Sequence, residues 1–199
     1  GTATVGDVAG DAGAVAPVDD EFGVTTASPL AVGVIVWLAS ELMFFAGLFA
    51  AYFVLRGEND PWPPAGADLD MARALLSTVL LLTSSVTMHL SVRAAERGDH
   101  KRVGRWLAVT LVLGTLFLVN LVLEWAGLDF SLGTDAYGSI YYLITGFHGL
   151  HVLGGLVLMV AVAGLVPGRD SEAPIGPSVA VTGYYWHFVD IVWIFVFAT

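Results

Sequence analysis

Apolar residues in this chain fall in five long runs, not in the short alternations of a strand or the one-sided stripes of a surface helix. The runs cover about residues 30–55, 71–95, 106–125, 140–166 and 179–198. Each is near or above the roughly 20 residues that a helix needs to cross a hydrocarbon core of about 30 Å. Water is absent there, so each backbone group must be paired within its own segment, and runs of this length are predicted to be helices. Breakers divide them: Pro61, Trp62, Pro63 and Pro64 after the first, Gly98 after the second, then the stretches 127–138 and 167–177. The expected fold class is therefore all-α: a polytopic membrane protein, a bundle of five transmembrane helices over residues 30–199. Residues 1–29 form a contrasting acidic tail with Asp7, Asp11, Asp19, Asp20 and Glu21 and no Lys or Arg. It lacks the basic start of a secretory signal and the Arg-rich pattern of a mitochondrial presequence, and reads as a flexible tail.

Composition sharpens the class. Of 199 residues 56% are hydrophobic and 13% charged, against roughly a quarter charged in ordinary soluble domains. That excludes a soluble globular enzyme. Eight basic residues against eighteen acidic ones argue against a nucleic-acid partner, which needs clustered Lys and Arg. The absence of cysteine excludes a disulfide scaffold, a thiolate zinc site, an iron–sulfur cluster and a Cys nucleophile.

The distribution of the basic residues sets an orientation. Arg93, Arg97, Lys101, Arg102 and Arg105 lie between runs two and three, and Arg169 between four and five; Arg56 and Arg73 lie on the other side. Six against two places the N-terminus in the cytoplasm and the C-terminus outside.

The candidate chemistry is what costs most to place in lipid. Glu41 lies about twelve residues into the first run, about 18 Å from the nearer end at about 1.5 Å per residue. An ionised carboxylate there is expensive, so it needs a partner, expected to be a His on the fourth or fifth helix. His148 and His151 lie in the fourth run and His187 and Asp190 in the fifth, both pairs at i,i+3 and so on one helix face. His89 and Glu124 lie nearer helix ends. The two i,i+3 pairs are expected to meet across a contact that Gly146, Gly149, Gly154 and Gly155 would let come close. Three readings stay open on spacing alone: a metal or haem site, a proton or ion relay, and polar groups joining helices to one another, to lipid or to a partner. The aromatic run Phe44, Phe45, Phe49, Tyr52 and Phe53 reads as packing, and Trp106, Trp125, Tyr141 and Tyr142 as interfacial anchors.

At these residues the chain resembles subunit III of the haem–copper oxidases. Trp37-Leu38-Ala39-Ser40-Glu41-Leu42-Met43-Phe44-Phe45 through Ala51-Tyr52-Phe53 resembles that family's first shared motif. Thr145-Gly146-Phe147-His148-Gly149-Leu150-His151-Val152 with Gly154-Gly155 is similar to the second. Tyr185-Trp186-His187-Phe188-Val189-Asp190 through Phe195 is similar to the terminal one, and Leu81-Leu82-Thr83-Ser84-Ser85-Val86-Thr87 to a weaker stretch between them. Longer members have seven helices, and this chain matches the last five. Where the family often has a Gln three residues before a Glu-Tyr pair, Leu121 stands here, beside Asn120, and the pair is Glu124-Trp125.

The resemblance implies a non-redox accessory subunit, with no cofactor, metal or catalytic residue of its own. Haem and copper would lie in partner subunits I and II, which pass electrons from cytochrome c to oxygen and translocate protons. Glu41, His148, His151, His187 and Asp190 would belong to a polar, lipid-contacting interior with structural phospholipids, Glu41 being the proton-related one. The family also counts quinol oxidase subunits and a nitric oxide reductase accessory subunit; an ion-coupled transporter and a haem-binding membrane cytochrome are the rivals from other classes. The Ala/Val/Gly-rich composition with few Lys points to a GC-rich bacterial genome, hence a bacterial plasma membrane and a cytochrome bc complex as a further candidate partner. The orientation is directly testable: a reporter fused after Thr199 should lie outside the cell, and one inserted at Arg97 should lie in the cytoplasm. The opposite labelling would reverse every face assigned above.

Overall fold

The computed structural model describes residues 29–65, 67, 69–166 and 175–199. The acidic tail through residue 28, and Arg169 with its loop, lie outside the described residues. Within them the chain forms five α-helices and no strand: α1 (Pro29–Glu58), α2 (Met71–Glu96), α3 (His100–Ala126), α4 (Ala136–Leu165) and α5 (Gly176–Ala198). All five are long and apolar enough to cross a membrane.

Several helices begin before the apolar runs do, and side-chain caps explain where. Asp70 accepts the backbone N–H groups of Ala72 and Arg73 at 3.0 and 3.2 Å, Asp99 that of Arg102 at 3.0 Å, and Asp135 that of Gly138 at 2.7 Å. Each satisfies amides that a helix start leaves unpaired. Asp99 thus starts α3 at His100, so Lys101, Arg102 and Arg105 are carried on the first two turns of the helix rather than in a loop. Pro177 opens α5, where its missing N–H is harmless. Gly98, at a φ of 68°, makes the tight reversal between α2 and α3.

Helices α2 to α5 form a four-helix core, and among the described residues α1 packs on its flank against α4 and α5 and against neither α2 nor α3. Buried positions on α3 recur at alternating steps of four and three: Val103, Leu107, Thr110, Gly114, Phe117, Leu121 and Glu124. That repeat averages about 3.5 residues, the period of left-handed helix packing. On α2 the same repeat buries Ser77, Leu81, Ser84, Met88 and Ser91, while Leu75, Val79, Leu82 and Val86 face outward. Small and polar residues hold the inside because lipid gives a leucine no reason to leave it. Hydroxyls stitch α2 to α3: Thr87 Oγ1 and Thr110 Oγ1 are 2.7 Å apart, and Ser91 donates to the Val103 carbonyl at 3.4 Å.

Trp186 of α5 fills the centre and is fully buried. Its indole N–H donates to Ser84 Oγ at 2.9 Å, and its ring lies between Gly114 of α3 and Gly155 of α4. A methyl group on Gly155 would come within 2.7 Å of Trp186 Cε3, and one on Gly114 within 2.8 Å of Cη2. Gly155→Ala should therefore cost about 1–3 kcal/mol of overpacking, of which at most about 1 kcal/mol returns as helix propensity. Unfolding in detergent should show the loss, and an unchanged midpoint would contradict the close fit of the indole.

Candidate functional site

The flanking position of α1 brings its one mid-span acid against α4. Glu41 Oε2 lies 3.1 Å from His151 Nε2, with the Glu41 side chain 26% exposed and that of His151 15%. The other ring nitrogen, His151 Nδ1, lies 2.7 Å from the carbonyl oxygen of Phe147, one turn earlier on α4. A carbonyl oxygen can only accept, so Nδ1 carries a proton. The short contact at Nε2 then admits two states: a neutral imidazole accepting from a protonated Glu41, or an imidazolium donating to the carboxylate. In both, one proton lies between the two groups and the pair carries no net charge. That is the form of an acid–base pair least costly to hold in a membrane.

Three helices build the surroundings. Tyr185 of α5 donates its hydroxyl to the His151 carbonyl at 2.9 Å and stacks on Trp37 of α1 with centroids 5.4 Å apart. Phe45, fully buried, meets the His151 ring edge-on at 5.0 Å, and Phe44 meets Phe147 at 4.9 Å. Of the aromatic run on α1, Phe44 and Phe45 pack the wall of this site, Phe49 meets Phe195, Tyr52 meets Trp62, and Phe53 is exposed. Gly154 lets α5 approach: a methyl there would lie 3.1 Å from the Tyr185 hydroxyl.

The remaining candidates lie elsewhere. His187 Nδ1 is 2.8 Å from Ser85 Oγ of α2 and 3.6 Å from Asp190 Oδ2, too far for a hydrogen bond. Asp190 is 5% exposed, and neither of its oxygens has a hydrogen-bond partner among the described residues. His148 is fully buried with both ring nitrogens unpartnered among the described residues, its ring lying 5.1 Å from that of Trp193 and 5.6 Å from that of Phe117. The expected meeting of the two i,i+3 pairs is therefore corrected: no hydrogen bond or ion pair joins His148 or His151 to His187 or Asp190 among the described residues. Positions three apart differ by about 60° around a helix. At a corner of the bundle that angle sends His148 to the core and His151 to α1. Among the described residues no three His, Asp or Glu side chains are grouped to hold a metal.

Some of the site was not named from sequence. Tyr185 and the Phe147 carbonyl hold His151, and Ser85 holds His187; a hydroxyl-rich stretch on α2 opposite an imidazole-bearing α5 was the available signal. Glu124, 6% exposed, accepts from Tyr141 at 3.1 Å and faces a cavity of about 110 Å³ that Tyr52, Tyr137 and Trp193 also line. Asn120, not Leu121, is the polar link at that level, donating to Ser77 Oγ at 2.7 Å and to the Arg73 carbonyl at 3.1 Å.

Residues 13–199 match the family described as cytochrome c oxidase subunit III. This chain belongs to that family. A relative from Nocardia farcinica, described as a probable cytochrome c oxidase subunit 3, is 46% identical over 85% of this chain and 86% of its own length. The cytochrome c oxidase subunit 3 of Corynebacterium diphtheriae is 43% identical over 85% of this chain and 86% of its own length. That of Thermostichus vulcanus is 37% identical over 83% of each. The chain is thus a subunit III, a membrane component of a multi-subunit oxidase. Glu41, His148, His151, His187 and Asp190 all fall within the matched residues.

The two unpaired nitrogens of His148 give a stability test. A buried polar group without a partner costs about 1–3 kcal/mol. His148→Leu, close in volume and apolar, should keep or raise the unfolding midpoint in detergent. A loss above about 2 kcal/mol would show that His148 has a partner in the assembled protein.

Proposed function

We propose that this chain is the non-redox accessory subunit of a bacterial cytochrome c oxidase and that the Glu41–His151 pair is its working part. The observation that carries the reading is the 3.1 Å contact between Glu41 Oε2 and His151 Nε2, about 18 Å into α1 and partly open at the edge of the bundle. Such a pair accepts or releases a proton without a net charge having to rest in lipid beforehand. Electron transfer from cytochrome c to oxygen, the haem and copper that perform it, and coupled proton translocation belong in this reading to subunits I and II. The chain contributes proton supply and durability beside them. It lies in the bacterial plasma membrane with its N-terminus in the cytoplasm, holds structural phospholipids, and joins a cytochrome bc complex in a larger assembly. The family membership and the relatives' names support the oxidase assignment; the fixed His151 orientation supports the proton role.

Glu41→Gln tests it. The amide can donate to Nε2 of a neutral His151, so shape and hydrogen bond survive while titration is lost. The variant complex should assemble and keep initial oxygen consumption within about twofold of wild type, a difference of about 0.4 kcal/mol. Losses should appear in activity lifetime during turnover and in proton uptake at alkaline pH. Immediate and complete inactivity of a fully assembled Glu41→Gln complex would contradict an accessory role.

A further inference from the structure

The turn between α2 and α3 bears on a different surface. The last turns of α2 and the first turns of α3 enclose an open groove of about 600 Å³. Its lining changes along the helix axes. By position along the helices, Arg97 and Arg102 lie nearest the α2–α3 turn, Arg93, Arg105 and Trp106 about one turn further from it, and Leu90 and Val109 furthest. Leu90 and Arg97 are seven residues apart, as are Val109 and Arg102, so the apolar end lies about 10 Å further from the turn. Asp99 pairs with Arg102 at 3.1 Å. Arg93, Arg97 and Arg105 have no acidic partner within 4.0 Å among the described residues, and Glu96 lies outside the lining.

We propose that this groove binds one anionic phospholipid, its phosphate between Arg93, Arg97 and Arg105 and an acyl chain along Leu90, Trp106 and Val109. Charge alone would fit any anion, and the acidic tail of this chain is expected on the same face. The depth profile selects the lipid: a phosphodiester joined to hydrocarbon matches a groove that turns from guanidinium to aliphatic over about 10 Å at the end of a membrane span. Bidentate donation to phosphate is what guanidinium groups do best. The site is independent of Glu41, on another part of the bundle, and stands or falls without the proton reading.

The oxidase complex containing this chain, placed in phosphatidylcholine nanodiscs titrated with phosphatidylglycerol and examined by native mass spectrometry, should retain one phosphatidylglycerol that depends on the groove. At about one surface arginine's worth of attraction, Arg105→Gln should weaken that retention about fivefold. Lys101→Gln removes the same charge one position outside the lining and should leave it unchanged. An equal loss in Lys101→Gln, or equal retention of phosphatidylcholine, would overturn the proposal in favour of diffuse surface charge. Displacement of the lipid by millimolar inorganic phosphate would overturn it in favour of a simple anion site. A gain in phosphatidylglycerol affinity on deleting residues 1–28 would overturn it in favour of the acidic tail.

Discussion

The seating of one indole orders this molecule. Trp186 enters the space between α3 and α4 where Gly114 and Gly155 lack side chains, and anchors its N–H on Ser84 of α2. That seat fixes how α5 is rotated. Neighbouring residues on a helix point about 100° apart, so with Trp186 inward, Tyr185 turns toward α4 and α1 while His187 turns toward α2. Tyr185 then reaches the His151 carbonyl, and His187 reaches Ser85. Both polar clusters thus depend on the seating of the residue that lies between Tyr185 and His187 in the chain.

The same arrangement explains why the four core helices can carry so many hydroxyl groups. Ser77, Ser84, Thr87, Ser91 and Thr110 are all buried, and each is small enough to let backbones approach while finding a hydrogen bond across or along the helices. In lipid an interhelical hydrogen bond contributes modestly, about 0.6 kcal/mol on average, but close packing of small residues adds dispersion along the whole seam. The core is held by many weak contacts around one large one.

The five helices were legible because spanning length is a strong constraint: an apolar run either crosses the bilayer or does not. Which face of each helix turns inward was much less legible. In water a leucine is driven inside; here Leu82 and Val86 are exposed and Ser84 is buried, and hydropathy carries no information on that choice. Glu41 could be given a His partner on a later helix because an acid at that depth demands one, but not the particular His. His148 and His151 share a face in a helical projection, yet the 60° between them separates the buried core from the contact with α1. Asn120 shows the same limit: a position that looked merely adjacent to a missing Gln is the one turned toward Ser77.

The flanking place of α1 has a consequence for how the chain is made. Glu41 precedes His151 by 110 residues, and α1 touches neither α2 nor α3, the helices synthesised directly after it. At about 5–20 residues per second, on the order of ten seconds separate their emergence from the ribosome. During that interval the first helix carries its mid-span acid without His151. Its docking surface is completed in two steps, α4 bringing His151 first and α5 bringing Tyr185 after it. The acid–imidazole pair therefore cannot close before α4 emerges, and a chain that stalls earlier leaves Glu41 without the imidazole it meets in the folded protein.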